Sequence, residues 1–348
     1  MNGKKVVLGI SGGVDSAVAA HLLKEQGFHV VGVTLNVLGD VSENASVIDG
    51  EKVAKTLGIE HHVVDYREQF KADVVDYFIN EYLAGKTPNP CNMCNRRVKW
   101  KCLLDVAEDL GADYVATGHY ARIDKLPNGR YAICNSVTAK KDQTYALCNL
   151  TQEQLSKTLM PVGKYEKEYI RAIAKDIGLH VADKSDSQDI CFIPDGDYAS
   201  FIKENSDETI CEGMFVDRDG KELGTHKGIT NYTIGQRKGL NLAMGHPVFV
   251  TDIDVEGNRV VIGENEDLFK TRVVADNFNY MAVAGMKEND RFIGKVRYAH
   301  KGTPCRVISA SEGRVEVEFD EPVRAITPGQ ALVLYDGEYV AGGGTICR

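Results

Sequence analysis

The sequence contains no long hydrophobic run and no leader-like segment at its N-terminus. Its apolar stretches are far shorter than the roughly 20 residues that a membrane-spanning helix needs. The first residues lead directly into a strand-like segment, without the basic and apolar regions of a signal peptide. These absences argue against a membrane protein, and we expect a cytoplasmic protein without a membrane partner.

Positive charge is also scarce, because 41 Lys and Arg face 50 Asp and Glu and leave a net charge of −9. Any contact with nucleic acid must therefore come from local basic patches. The nine cysteines are an odd number scattered over 348 residues, which argues against a secreted disulfide scaffold. Apolar residues make up 43% of the chain, enough for the cores of two or three globular domains.

A glycine-rich turn lies between the first predicted strand and the first predicted helix. Residues 6–10 are apolar, and residues 11–16 read SGGVDS before a run with helical spacing. The two glycines allow the backbone to approach a ligand, and the free N–H groups at a helix start bind anions. No Lys follows the glycines, so this is not a Walker loop. It resembles the PP-loop of the ATP pyrophosphatase superfamily; the simpler alternative is a Gly-rich turn with a serine cap.

Strands and helices alternate through the first part of the chain. Strand-like segments at residues 29–35, 59–65 and 113–117 are separated by segments with helical periodicity, one of them over 97–110. This order predicts a doubly wound parallel sheet, in which ligands bind beyond the carboxyl ends of the strands. Residues 11–16, Leu35, the loop before Arg97 and the segment 117–120 should therefore share one edge.

A second informative segment covers residues 87–95 and carries a Cys-x-x-Cys pair. Its two prolines predict an extended path, and Arg96, Arg97, Lys99 and Lys101 follow it. Such a basic helix start suits phosphate and can lower the pKa of a nearby thiol. A zinc site would need a second Cys or His pair, which is absent at short spacing. A thioredoxin-like pair stays open, although the expected preceding strand is missing.

Helical periodicity disappears after about residue 206, and short alternating segments with turn signals follow. This spacing predicts a hairpin over residues 213–224 and a small β-barrel from residue 271. We therefore expect three domains: a catalytic domain over 1–205, a small mostly-β domain over 206–270 and a barrel over 271–348. On local sequence alone, Cys191 between apolar neighbours is a small buried hydrophobe.

Seven motifs occur in the order found in the tRNA-specific 2-thiouridylase family, which the chain resembles over nearly its whole length. They cover residues 11–16, 87–95, 117–120, 141–145, 188–192, 232–240 and 327–330. The resemblance implies sulfur transfer to C2 of the wobble uridine of tRNA, with adenylation of the C2 oxygen and release of AMP and pyrophosphate. It implies ATP and Mg²⁺, and as a partner a persulfide-donating protein such as a cysteine desulfurase or a sulfur relay.

The resemblance also implies residue roles. Asp15 takes part in catalysis, Cys94 is the nucleophile, and Cys191 carries the persulfide, with a disulfide forming between the cysteines as sulfur is released. ATP would contact Gly9, Ile10, Ser11, Gly12, Gly13, Val14, Asp15, Ser16, Leu35 and Gly118. Asn89, Pro90 and Cys91 would line the target base, and His119, Lys141, Asp142, Gln143, Arg297, Tyr298 and Gln330 would contact tRNA. From the residue alone, His119 is equally well a hydrogen-bonded side chain ending a strand.

Cys91 departs from the family pattern, because well-described members have Asp at this position. Two chemistries stay open: a persulfide route that needs Cys94 and Cys191, with Cys91 as a spectator, and an iron–sulfur route with all three cysteines as ligands. We favour the persulfide route. Another PP-loop adenylating enzyme, such as an NAD synthetase, would lack the cysteine pair and the barrel, and a tRNA-binding module without catalysis would need no phosphate loop.

Overall fold

The computed structural model describes residues 3–184 and 190–348. The helices in this part of the chain are α1 (Val14–Glu25), α2 (Ala45–Leu57), α3 (Arg67–Phe70), α4 (Asp76–Leu83), α5 (Pro90–Met93), α6 (Trp100–Asp109), α7 (Gln152–Ser156), α8 (Lys167–Asp176) and α9 (Tyr198–Asn205). The strands are β1 (Lys5–Gly9), β2 (His29–Asn36), β3 (Glu60–Asp65), β4 (Tyr114–Ala116), β5 (Arg122–Lys125), β6 (Tyr131–Cys134), β7 (Thr158–Leu159), β8 (Gly213–Val216), β9 (Glu222–His226), β10 (Phe249–Asp254), β11 (Arg259–Gly263), β12 (Phe269–Tyr280), β13 (Arg291–Lys295), β14 (Thr303–Ser311), β15 (Arg314–Arg324), β16 (Ala331–Asp336) and β17 (Tyr339–Ile346).

The first sheet is parallel, with strand order β3-β2-β1-β4-β7. Alternate residues of β1 enter different cores: Val7 packs with Trp100 of α6, while Val6 and Leu8 pack with Val18 of α1. Because successive side chains of a strand point to opposite faces, both faces of this sheet are covered by helices. The predicted doubly wound sheet is confirmed.

The β-rich remainder forms two further sheets. Strands β8 to β11 make a small four-stranded sheet in the order β10-β11-β8-β9, with the predicted hairpin at β8–β9. Strands β12 to β17 form a six-stranded barrel in the order β12-β15-β14-β13-β16-β17, and pairing of β12 with β17 closes it. The predicted central domain and C-terminal barrel are therefore both present.

The barrel is joined to the first domain through a hairpin that the sequence did not predict. Strands β5 and β6 pair with each other, and β6 continues the barrel sheet next to β17, where Cys134 is opposite Tyr339. One hydrophobic core contains Val7 of β1 together with Val333 of β16 and Val340 of β17. The first domain and the barrel thus share an interior.

The helix predicted over residues 97–110 begins earlier than expected. It starts with α5, passes through a π-helical turn at Cys94–Lys99 and continues as α6. Asn89 caps the start by accepting a hydrogen bond from the Cys91 N–H at 3.1 Å, and Pro90 occupies the first turn, where its missing N–H costs nothing. The chain reaches this helix in an extended conformation at Asn89, as expected, but the Cys-x-x-Cys pair itself lies on helical turns.

Transmembrane helices are not found in the part of the chain described here, since none of its helices combines enough length with enough apolar character.

Candidate functional site

The phosphate loop is closed by its two serines. The Ser11 N–H donates to Ser16 Oγ at 3.2 Å, and the Ser16 hydroxyl donates to the Gly13 carbonyl at 3.1 Å. Gly12 has a φ of +68°, a left-handed conformation that favours glycine. Helix α1 follows at Val14 without a side-chain cap on its first N–H groups. These groups and the positive end of the helix dipole make this turn suitable for an anion.

Two side chains from outside the loop hold Asp15. Lys167 Nζ lies 2.7 and 2.8 Å from its two carboxylate oxygens, and the Tyr120 hydroxyl donates to Oδ1 at 2.7 Å. Lys167 belongs to the first turn of α8 and is only 6% exposed. Sequence reasoning missed Lys167, because a lysine near the start of an amphipathic helix carries no local signal of burial.

Gly118 brings the end of β4 directly against the loop. A β-carbon at this position would lie 2.6 Å from the Ser16 nitrogen and 2.8 Å from the Asp15 carbonyl carbon. Only glycine permits this approach of two backbone segments. Gly9 and Ile10 lead into the loop, and the Ile10 N–H donates to the Val33 carbonyl at 2.8 Å. Leu35, half-buried near the end of β2, lies on the neighbouring strand of the same sheet.

The cysteine segment is anchored by the barrel. The Thr87 N–H donates to the Pro328 carbonyl at 2.9 Å, and Gln330 Nε2 donates to the Thr87 carbonyl at 2.8 Å. The Thr87 hydroxyl donates to the Thr233 hydroxyl of the central domain at 3.1 Å. All three domains therefore meet at the residue from which the chain runs to Asn89 and Cys91.

Cys91, Cys94 and Cys191 interact electrostatically with one another and with one lysine. Cys94 is 8% exposed, and burial raises the pKa of its thiol to about 11, with Lys99 opposing the shift. Desolvation by the surrounding protein also raises the pKa of the Cys191 thiol, and Lys99 again opposes the shift. Burial of Lys99 by itself would lower its pKa, but the three cysteines more than offset this and raise it. Lys99 of the basic helix start does act to lower the pKa of both thiols, but desolvation outweighs its effect and the net shift is upward.

The π-helical turn explains why Lys99, rather than a neighbouring arginine, interacts with the thiols. In an α-helix, residues five apart would point about 140° away from each other. The wider turn over Cys94–Lys99 brings them closer to one face. Lys99 Nζ donates to Asn95 Oδ1 at 3.2 Å, and Asn95 Nδ2 donates to the Ala146 carbonyl at 2.9 Å. Arg96 and Arg97 instead line a cavity of about 690 Å³ with Lys101, Asp105 and Lys157, among others.

Cys191 is exposed, so its local interpretation as a buried hydrophobe was wrong. Its neighbours Phe192 and Ile193 are the buried members of this segment and pack with Cys94 in one hydrophobic cluster. Gln188 of the same motif lies outside the described residues. All nine cysteines of the chain lie inside the described ranges, and none of them is in a disulfide.

His119 follows the glycine that touches the phosphate loop and interacts electrostatically with Lys99. Its Nδ1 lies 2.8 Å from the Thr117 hydroxyl oxygen, and its ring contacts Trp100 with centroids 5.5 Å apart. Burial, assisted by the positive charge of Lys99, lowers the pKa of His119 to about 3, so the imidazole is neutral at physiological pH. The residue before it is Gly118, which touches the loop at Ser16. Residue 118 thus touches the loop, and residue 119 interacts with the lysine that also affects the thiols.

The other predicted tRNA residues fall into two groups. In the first, Asp142 accepts a hydrogen bond from the Ser136 N–H at 2.8 Å, Gln143 accepts one from the Tyr120 N–H at 2.8 Å, and the Tyr298 hydroxyl donates to the Asp142 carbonyl at 2.9 Å. Lys141 directly precedes Asp142 in the sequence. Tyr298 stays 53% exposed, so its ring is available to a partner.

The second group lies where the three domains meet. Arg297 and Gln330 line a cavity of about 280 Å³ together with Arg324, Thr87 and Thr233, among others. The Arg297 guanidinium donates to the Arg324 carbonyl at 2.8 Å. The two arginines give this cavity a positive character that suits a phosphate.

The iron–sulfur alternative lacks an arranged set of ligands. Over residues 3–184 and 190–348, no three His, Cys, Asp or Glu side chains are grouped so that they could hold a metal ion. Cys91 is exposed and Cys94 is buried, although both belong to the same pair. The described residues therefore provide no evidence for an iron–sulfur cluster site.

Three family models match consecutive parts of the chain. A tRNA methyl transferase HUP domain matches residues 4–195, a tRNA methyl transferase PRC-barrel domain residues 199–264, and an aminomethyltransferase beta-barrel domain residues 270–346. The tRNA-specific 2-thiouridylase MnmA of Lachnoclostridium phytofermentans is 54% identical over 99% of this chain and 100% of its own. The protein of the same name from Clostridioides difficile is 50% identical over 99% and 98%.

Matches among solved structures have lower sequence identity. The U34-tRNA thiolase NcsA from Methanococcus maripaludis with its [4Fe-4S] cluster has a TM-score of 0.36 at 20% identity, covering 59% of this chain and 68% of that one. The NMN synthetase from Francisella tularensis has a TM-score of 0.35 at 16% identity, covering 53% and 67%.

Proposed function

The chain belongs to the tRNA-specific 2-thiouridylase family, and from this membership we propose that it converts the wobble uridine of tRNA to 2-thiouridine with consumption of ATP. The observation that carries the proposal is the arrangement at residues 118 and 119. Gly118 touches the phosphate loop, while His119 interacts with the same lysine as the three thiols. A base bound there would reach both an activated phosphate and a sulfur carrier.

The first step would activate C2. The C2 oxygen of uridine attacks the α-phosphorus of ATP, the bond to the β-phosphate breaks, and pyrophosphate leaves with the electron pair. Gly9, Ile10, Leu35 and Gly118 would surround the nucleoside, and the loop over residues 11–16 would bind phosphate through backbone N–H groups and its serines. Mg²⁺, when bound, supplies charge neutralisation, and Asp15 is the carboxylate of this loop that could hold it.

The second step would transfer sulfur. A persulfide on Cys191 attacks C2 through its terminal sulfur, and AMP leaves with the former C2 oxygen. Cys94 then attacks the Cys191 sulfur, so that 2-thiouridine is released and a Cys94–Cys191 disulfide remains for an external thiol to reduce. Exposure of Cys191 supports loading by a persulfide-donating protein such as a cysteine desulfurase or a relay, and burial of Cys94 supports a protected second step.

The target base would be flipped out of the anticodon loop, where it is exposed and cheap to unstack. Asn89, Pro90 and Cys91 would line its pocket, with Cys91 as a spectator. Lys141, Asp142, Gln143, Arg297, Tyr298, Gln330 and His119 would contact the tRNA. We assign catalysis to residues 1–205, with the central domain over 206–270 and the barrel over 271–348, and we place the protein in the cytoplasm with its tRNA substrate.

Mass spectrometry of tRNA nucleosides tests this proposal. After incubation with ATP, Mg²⁺ and a persulfide source, the protein should yield 2-thiouridine together with AMP and pyrophosphate. Formation of ADP and inorganic phosphate, or tRNA without added sulfur, would contradict it. A Lys125→Met variant, altered on the exposed end of β5, serves as the matched control and should thiolate normally.

A further inference from the structure

The phosphate loop lacks a positively charged side chain of its own. Residues 11–16 contain glycine, serine, valine and aspartate, and Asp15 adds a negative charge beside the expected phosphates. Breaking ATP between its α- and β-phosphates leaves a highly charged pyrophosphate, which enzymes stabilise with cations. Mg²⁺ meets part of this need. A side-chain cation from elsewhere in the fold should meet the rest.

Lys167 is placed to be that cation. Its ammonium bridges both oxygens of Asp15 at 2.7 and 2.8 Å, and it lies 5.5 Å from the centre of the Tyr120 ring. Helix α8, which carries it, packs against α1, the helix that the loop opens. The ammonium is therefore fixed at the start of α1, where an anion would bind.

The burial of this pair is unequal. The Lys167 side chain is 8% exposed, whereas that of Asp15 is 28% exposed. A lysine kept only for stability gains little from burial, because removing its charge from water costs more than an exposed ion pair returns. A buried lysine beneath a partly open carboxylate at an anion site instead suggests a function for the charge.

We propose that Lys167 is the pyrophosphate-binding lysine of this site, held by Asp15 and Tyr120 until Mg²⁺ and ATP enter and then paired with the β- and γ-phosphates. The inference rests on the proposed use of ATP at this loop. It makes Lys167 a catalytic residue for the first step and gives it the role that a lysine within the loop has in Walker-type sites.

The exchange would give Asp15 and the phosphates a cationic partner each. Before ATP enters, the Asp15 carboxylate is neutralised by Lys167. With Mg²⁺ bound, Asp15 would be the carboxylate that holds it, and the ammonium of Lys167 would neutralise phosphate. When the bond between the α-phosphorus and the bridging oxygen breaks, the electron pair stays on pyrophosphate, and Lys167 stabilises that charge.

Lys184 is the other lysine that reaches the loop, and its contacts make it a weaker candidate. Its ammonium donates to the Gly12 carbonyl at 3.0 Å and pairs with Asp49 at 2.7 Å. The side chain is 42% exposed. It therefore braces the outer turn of the loop rather than the start of α1, where the first N–H groups are free of a side-chain cap.

Calorimetric titration with three ligands tests the proposal without relying on turnover. Full-length protein is titrated with pyrophosphate, with α,β-methylene-ATP and with AMP, each in the presence of Mg²⁺. In the Lys167→Met variant, affinity for pyrophosphate and for the analogue should fall about 10- to 100-fold, as expected for loss of a charge-assisted contact. AMP lacks the β- and γ-phosphates, so its affinity should change less than about twofold.

Two further variants separate a phosphate contact from a structural one. Lys167→Arg keeps the charge and should bind pyrophosphate better than Lys167→Met does, which also tests the proposal if the methionine variant is unstable. Lys164→Met, three residues earlier and exposed, should match the wild type.

Equal pyrophosphate affinity in wild type and Lys167→Met would overturn the inference, as would parallel loss of AMP and pyrophosphate binding or an arginine variant as weak as the methionine one. A wild-type protein that binds neither the analogue nor pyrophosphate would instead contradict the proposed function.

Discussion

The phosphate loop and the cysteine site differ in how far apart along the chain their parts lie. The loop is closed within six consecutive residues, by hydrogen bonds between Ser11, Gly13 and Ser16. The cysteine site combines Cys94 with Cys191, almost a hundred positions later, and depends on a barrel loop that binds Thr87. A local motif can build an anion site, whereas a sulfur relay needs the tertiary structure.

The largest expected effect separates the two sites completely. Cys94→Ala and Cys191→Ala should each abolish 2-thiouridine formation, because one thiol releases the sulfur and the other carries it. Binding of α,β-methylene-ATP should be unchanged, since neither thiol contacts the loop. Nucleoside mass spectrometry and calorimetry on the same preparations provide both measurements.

Cys91→Ala is the matched control for those two variants. It should retain substantial activity in protein purified without iron, because the persulfide route does not use this thiol. A cluster absorption band in anaerobically reconstituted protein, together with loss of activity in Cys91→Ala, would reverse this interpretation.

Gly118→Ala should damage the loop from outside it. The new methyl group would lie 2.6 Å from the Ser16 nitrogen, so the first turn of α1 must move. Moving an aligned reacting group by about 1 Å can lower the reaction rate about 100-fold, and we expect a loss of that size in the rate of AMP formation. Gly285→Ala, whose β-carbon would meet nothing within 4 Å, should be neutral. Normal AMP formation by Gly118→Ala would show that the loop tolerates the shift.

Features built from residues close together in the sequence could be predicted, whereas features built from distant residues could not. Local periodicity indicated the parallel sheet, the barrel strands and the loop. The hairpin of β5 and β6 was missed, because its pairing with β17 joins residues about two hundred positions apart and short strands resemble loops. The early start of the cysteine helix was missed because Pro90 suggests an extended chain unless its place in a first helical turn is known.

Charges were the hardest feature to predict. A basic run after Cys94 suggested a lowered thiol pKa, but the sequence does not give the degree of burial, and burial decides the sign at Cys94. Lys99 was one of four basic residues in that run, and only the π-helical turn distinguishes it. Lys167 offered no signal, since its partner Asp15 is 152 positions away.

Gln330→Ala should weaken the cysteine site while leaving the loop intact. The hydrogen bond from Gln330 Nε2 to the Thr87 carbonyl is lost, which typically costs about 1 kcal/mol. Hydrogen exchange over residues 87–95 should become about fivefold faster, corresponding to that energy. ATP-analogue binding should not change. Gln26→Ala, exposed just after the end of α1, is the control, and unchanged exchange in Gln330→Ala would mean that the barrel does not hold this segment.

The smallest expected effect concerns the charge next to the thiols. Burial raises the pKa of Cys94 to about 11, so its thiolate is scarce at neutral pH and becomes about tenfold more abundant with each pH unit up to that value. Alkylation of Cys94 by iodoacetamide should accelerate accordingly between pH 7 and pH 10. Lys99 opposes the shift, so Lys99→Met should raise this pKa further and slow alkylation about threefold at a given pH.

Lys101→Met is the control. The exposed ammonium of Lys101 pairs with Asp105 at 2.9 Å, so its removal should leave the alkylation rate of Cys94 unchanged. Peptide mass spectrometry follows each cysteine separately. An alkylation rate of Cys94 that levels off near pH 8 would mean that burial does not control the pKa of this thiol. A rate that is the same in both lysine variants would mean that Lys99 does not affect that pKa. In either case the charge of the cysteine site would not depend on the tertiary structure in the way proposed here.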